Sequence, residues 1–344
     1  MSPLAAALEL PLAASEATKI GTDLDVHVGA WALLAALVVA MIVVDFAIFG
    51  RGRREVTLRE SVIWSIGWLV LALAFAGVMA AWQGHAAGAE YLAGYIVERS
   101  LSLDNIFVFA VIFGYFAVPL AVQPRVLAWG IALALVLRLV FIVLGAALLN
   151  ALHITFYAFG LLLLYTAWKL FRHEETEIDP EHNPALRVVR KRIPMTADYR
   201  GHRLLVREGG RRLATPLVAV FVVIATTDIV FAIDSIPAIF AITTEPFTVF
   251  AANAFALLGM RALYFAVAGL MSKFVYLSQG LAIILGYIAV KMLLVDVWHP
   301  PIWLSLIVIC VVLSATAWIS LRFGPKPPGP ADPQQRTEPP VAAG

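Results

Sequence analysis

Nine stretches of this chain are each long and apolar enough to cross a bilayer, whose hydrocarbon core of about 30 Å takes roughly 20 residues of helix. They cover about 28–50, 61–82, 91–118, 124–149, 153–171, 214–243, 246–271, 274–296 and 301–323. Backbone groups in hydrocarbon have no water to bond, so stretches of this length predict helices. The expected fold class is therefore all-α, a polytopic transmembrane protein of about nine helices. Hydrophobic residues make up 61% of the 344 and charged residues only 14%, which excludes a water-soluble domain. A formal net charge of +2 gives no reason to expect a nucleic-acid partner. The single cysteine, Cys310, excludes an intrachain disulfide and a cysteine-rich metal centre.

Positive charge is concentrated in alternate connections. Arg51, Arg53, Arg54 and Arg59 crowd the first, and the longest, 172–213, carries ten arginines and lysines from Arg172 to Arg212. The positive-inside rule then puts those connections in the cytoplasm, the N-terminus outside and the C-terminus inside. The other connections, near 83–90, 150–152, 244–245 and 297–300, hold no Lys or Arg. A bacterial inner (plasma) membrane is the expected location. Residues 1–27 are expected to be an external tail, and the proline-rich 324–344 a disordered cytoplasmic tail. Within the long connection, residues 204–213 predict a hairpin turning at Gly209 and Gly210, and the basic run from Arg187 to Arg192 is expected near anionic headgroups. The acidic segment from His173 to His182 reads as a solvated loop rather than a metal sensor.

The chain also repeats itself. Glu98, Asp104, Asn105 and Ile106 match Asp228, Asp234, Ser235 and Ile236 at one constant offset. The next helix of each set carries one arginine, Arg138 and Arg261, and the third carries Gly160 with Lys169 against Gly280 with Lys291. Three helices are an odd number, so the second set enters the membrane from the opposite face. The transmembrane domain, 28–323, thus contains two inverted three-helix repeats at about 91–171 and 214–296. Inverted repeats are a transporter plan in which the binding site lies near the bilayer midplane between the halves.

Carboxylates at mid-membrane cost roughly 2.5–3.5 kcal/mol each on insertion scales, so four of them require compensation. Arg138 and Arg261 are candidates for charge coupling or for structural ion pairs. Glu98, Asp104, Asn105, Asp228, Asp234 and Ser235 are the candidate ligands of a divalent cation, since carboxylate, amide and hydroxyl oxygens suit Mn²⁺, Ca²⁺ or Mg²⁺. Exchange for protons follows from the proton release that accompanies metal binding. On a continuous helix Asp104 and Asp234 point about 120° away from Glu98 and Asp228. Pro237 frees the carbonyl of Ile233, and local unwinding there is expected to turn Asp234 inward. Thr226, Thr227 and Asn253 are candidates to line a path or to bond between helices, and Asp45 reads as a helix-end residue.

The motifs Glu98-Arg99-Ser100-Leu101-Ser102-Leu103-Asp104-Asn105-Ile106-Phe107-Val108-Phe109 and Thr226-Thr227-Asp228-Ile229-Val230-Phe231-Ala232-Ile233-Asp234-Ser235-Ile236-Pro237 resemble the paired signatures of the TerC/Alx family of integral membrane proteins. Pro246-Phe247, Asn253 and Gly259-Met260-Arg261-Ala262-Leu263-Tyr264 extend the resemblance, which runs from about Arg51 to Trp303. The chain departs from the family pattern at Arg99, where Lys is common, and at Ala225, where a glutamate is common. The resemblance implies manganese export under metal or alkaline stress, a name-linked association with tellurite resistance, and kinship with LysE-like exporters. The expectation is a proton-coupled exporter of Mn²⁺ and not an enzyme, with the cation as cargo and no prosthetic group. Its partners are the lipid bilayer and protons, with an oligomer or soluble stress proteins as further partners. The alternatives are a Ca²⁺/H⁺ exchanger and a membrane scaffold in a metal- or tellurite-stress complex. An intramembrane aspartyl protease is disfavoured because the Gly-x-Gly-Asp motif is missing.

Overall fold

The computed structural model describes residues 20–22, 24–50, 57–172, 183–196, 198–208, 211–267, 276–298 and 300–323. Most of residues 1–27, the acidic segment 173–182 and the tail 324–344 lie outside the described residues. So do the turn residues Gly209 and Gly210 and the side chain of Asp104.

The helices are α1 (Val28–Gly50), α2 (Leu58–Gln83), α3 (His85–Tyr115), α4 (Gln123–Ala151), α5 (Ile154–Phe171), α6 (Pro184–Arg192), α7 (Pro216–Phe240), α8 (Pro246–Leu258), α9 (Met260–Val267), α10 (Leu277–Leu293) and α11 (Ile302–Phe323). Among the described residues, seven helical segments are long and apolar enough to span a membrane. Two further helices extend the set: α3, whose 31 residues would reach about 46 Å, and the shorter α10. The expected hairpin is present as β1 (Leu205–Glu208) paired antiparallel with β2 (Arg211–Ala214).

Local chemistry sets the helix starts. Thr57 and Glu60 form a reciprocal capping box at α2. Pro124, Pro216 and Pro246 stand in the first turns of α4, α7 and α8, where an amide has no partner to lose.

Burial separates an inner set of helices from an outer one. Only 17% of the apolar window is buried in α2 and in α11, against 83% for the α8–α9 unit, which makes that unit the centre of the bundle. Around it α3 packs on α8 and α7, α4 on α7 and α8, and α5 on α10, while α1, α2 and α11 lie outside. Exchanging the set α3, α4, α5 with the set α7, α8, α10 converts the contact of α3 with α8 into that of α7 with α4. Both are present.

One local expectation is corrected. The helix does not unwind at Pro237, because α7 runs unbroken from Pro216 to Phe240. A proline removes one bond to the preceding turn, and the surrounding packing carries the helix through. The break falls instead at Gly259, which divides the expected span 246–271 into α8 and α9. The basic segment from Arg187 to Arg192 belongs to α6, which packs along α7. Leu186 is buried there, and the Asn183 amide donates to Thr226 Oγ1 at 2.8 Å.

Candidate functional site

Glu98 on α3 lies fully buried, and the guanidinium of Arg138 on α4 donates to its Oε1. The same Arg138 Nη1 donates to Ser235 Oγ on α7 at 3.2 Å and to Asn253 Oδ1 on α8 at 2.8 Å. Nη2 reaches Asp228 Oδ1 at 3.4 Å, and Asn253 closes the ring by donating from Nδ2 to Glu98 Oε2 at 3.3 Å. Four helices therefore meet at one buried ionic cluster. Two carboxylates against one guanidinium leave a formal charge of −1, held away from water, where electrostatic interactions are strongest.

The cluster is set by helix periodicity. Seven residues advance a helix by about 700°, so Asp228 and Ser235 share one face of α7. Along the antiparallel neighbours α3 and α7, Glu98 and Ser235 meet at one nitrogen, Arg138 Nη1, which donates to both. Four residues earlier on α3 and four later on α7, Gly94 meets Ile239, with an added Cβ only 3.2 Å from the Ile239 side chain. The same register carried the other way sets Asn105 opposite Asp228. Both are buried, and Asn105 Oδ1 and Asp228 Oδ2 have no hydrogen-bond partner among the described residues. Buried oxygens without partners are costly, and a water or a cation would satisfy them.

Of the six residues expected to bind a cation, the structure brings Glu98, Asp228 and Ser235 together with Arg138 and Asn253, and holds Asn105 in the same seam. Asp234 is elsewhere. Its six-residue separation from Asp228 turns it about 120° around α7. There it accepts from Thr166 Oγ1 on α5 at 2.9 Å and feels the charge of Lys169. With no unwinding at Pro237, nothing rotates it inward. The backbone of Asp104 is helical, but its side chain lies outside the described residues. Thr227 is buried on α7, and no side-chain bond of it to the cluster is seen. Among the described residues no three His, Cys, Asp or Glu side chains converge as a metal-ligand group. The cluster has two acids, and its remaining donors are neutral oxygens.

The two arginines have different roles. Arg138 is the hub of the cluster. Arg261 on α9 is paired with Asp45 Oδ2 on α1 at 2.7 Å, and also donates to the Asp45 carbonyl and to that of Pro124 at 3.2 Å. Asp45 is thus a buried partner rather than a helix-end residue. Arg99 has a role that its sequence context does not suggest. It donates to the carbonyls of Ala256 at 2.8 Å and Gly259 at 3.4 Å, so it caps the free end of α8 at the break. Gly259 leaves the room for this, since a Cβ there would stand 2.9 Å from Arg99 Nη1. Arg99→Ala is expected to lower stability by about 1–3 kcal/mol by orphaning those carbonyls, as read by thermal unfolding in detergent.

Outside the spans, Tyr199 donates its hydroxyl to the carbonyl of Phe116 at 2.6 Å, tying the long connection to the end of α3. Burial there pushes the phenol above its usual range.

A bundle of apolar helices enclosing an ionic cluster defines a multi-pass integral membrane protein. The chain belongs to the integral membrane protein TerC family, whose pattern matches residues 83–326. It is 44% identical over 295 residues to an uncharacterized membrane protein of Myxococcus xanthus, covering 85% of this chain and 92% of that one. It is 39% identical over 305 residues to Alx of Escherichia coli (strain K12), which is named as a proposed membrane-bound redox modulator, covering 85% of this chain and 95% of that protein. A membrane protein of Mycobacterium bovis is 42% identical over 268 residues. No solved structure matches the chain.

Proposed function

We propose that this protein exports a divalent cation, Mn²⁺, across a bacterial inner membrane in exchange for protons, by alternating access between two inverted halves. One observation carries the reading: two buried carboxylates, Glu98 and Asp228, one from each repeat, meet at a single guanidinium, and Asp228 Oδ2 is buried with no hydrogen-bond partner among the described residues. Two carboxylates, an amide oxygen and the Ser235 hydroxyl make a hard donor set that suits Mn²⁺, Mg²⁺ or Ca²⁺ better than softer metals. The exchange symmetry of the helix contacts supports the inverted arrangement, and the arginine-rich connections support an external N-terminus and a cytoplasmic C-terminus.

In this reading Arg138 is a tethered stand-in for the cargo. It satisfies Glu98 and Asp228 when the cation is elsewhere, and it must release at least one of them when the cation arrives. Protons taken up by the acids on the return step complete the exchange. The single Cys310 gives one chain no dithiol couple, so a thiol-based redox role has no support in its residues. The test is cellular manganese content under manganese load. A strain lacking the protein is expected to accumulate Mn²⁺, and the intact chain but not Asp228→Asn is expected to restore normal content. Restoration by Asp228→Asn equal to that of the intact chain would contradict the assignment.

A further inference from the structure

The α3–α7 seam carries a second polar level. Eight residues before Glu98 on α3 stands Glu90, and eight after Ser235 on the α7 side stands Thr243. The register that sets Gly94 against Ile239 therefore sets Glu90 beside Thr243, and both side chains converge on Gly21, where an added Cβ would meet Glu90 Oε2 and Thr243 Oγ1. The two levels are about 12 Å apart along the helix. Between them Gly94 is closed by Ile239 and by Ala252, whose Cβ would stand 3.3 Å from an added side chain. The arrangement is polar, apolar neck, polar.

Sequence reading places Glu90 in an exposed connection, yet it is buried inside α3 with only 2% of its surface accessible. It is covered by the short segment Ile20–Thr22. Thr22 donates to Glu90 from its amide at 2.8 Å and from its hydroxyl at 3.2 Å, and the Ile20 carbonyl accepts from Thr244 N at 2.8 Å and Thr244 Oγ1 at 3.1 Å. Gly21 takes φ +97°, a conformation in which a Cβ would lie 2.7 Å from Glu90 Oε2 and 2.9 Å from Thr243 Oγ1. The segment crosses the seam where α3 begins and just beyond the end of α7.

We propose that Glu90, with the hydroxyls of Thr22 and Thr243, is a second station for the divalent cation at the end of the seam, and that Ile20–Thr22 is the strap that must lift to release it. The station rests on the transport reading of the Glu98–Asp228 cluster, and the strap can be tested without transport. A carboxylate and hydroxyls offer the same hard-oxygen chemistry as the cluster, with fewer ligands, so the ion is held more weakly near the exit.

The strap is read by thiol labelling in lipid nanodiscs, which leave both faces open. Thr243→Cys is placed in a Cys310→Ser background and challenged with a charged, water-soluble thiol reagent. Thr243 is fully buried beneath the strap, so labelling should be slow and should rise at least about tenfold when Gly21→Val is added. Equal rates with and without Gly21→Val overturn the strap. The station is read with Mn²⁺ and Glu90→Gln in the otherwise native chain. Mn²⁺ flux from liposomes should fall about tenfold or more, while equilibrium Mn²⁺ binding at the cluster stays within about twofold. Native flux in Glu90→Gln overturns the station, as does loss of cluster binding, which marks Glu90 as structural. Failure of the cluster reading appears differently, as unchanged Mn²⁺ flux in Asp228→Asn.

Discussion

Replacing Arg138 with methionine is expected to destabilise the protein by about 3–5 kcal/mol, because it leaves Glu98 and Asp228 buried with their counter-ion gone. Methionine keeps most of the volume of the stem, so the loss is electrostatic rather than a cavity. The triple variant Arg138→Met, Glu98→Gln, Asp228→Asn is expected to recover most of that loss, since neutral amides need no counter-ion. Thermal unfolding of the three proteins in one detergent measures this. A single Arg138→Met variant as stable as the native chain would mean that the guanidinium is not what holds the acids in place.

The second large effect separates two aspartates that look equivalent as letters. Asp228→Asn is expected to reduce Mn²⁺ binding by at least about a hundredfold, because it removes one of only two charges facing the cation and leaves an amide in place of a hard anionic ligand. Asp234→Asn is expected to leave binding within about threefold, because Asp234 is turned to Thr166 and Lys169 on α5. Calorimetric titration of each purified variant with Mn²⁺ distinguishes them. Equal losses would show that Asp234 joins the cluster in the bound state.

The same contrast shows how far the amino-acid sequence reveals the molecule. Hydropathy locates the membrane helices because bilayer thickness dictates their length. Periodicity alone separates Asp228 and Ser235 from Asp234. The added step, that Pro237 would unwind the helix, fails because tertiary packing carries a helix past a lost bond. The break at Gly259 depends on Arg99, which arrives from a helix about 160 residues away in the chain. No local pattern could announce it. Arg138 and Arg261 occupy matching places in the two repeats, but among the described residues Arg138 meets Glu98 and Asp228 while Arg261 pairs with Asp45 on a helix outside the repeats. Glu90 is missed for a similar reason. Standing near the start of a helix, it resembles an exposed end until Ile20–Thr22 is seen lying over it.

In the proposed transport cycle Glu98 and Asp228 hold a divalent cation in transit. The direct measurement is Mn²⁺ flux into liposomes containing the purified protein, with an imposed pH gradient, compared among the native chain, Glu98→Gln and Asp228→Asn. The account predicts Mn²⁺ flux that depends on the gradient in the native chain and falls at least about tenfold in each variant. Flux of native size in both variants, with both correctly folded, would contradict it.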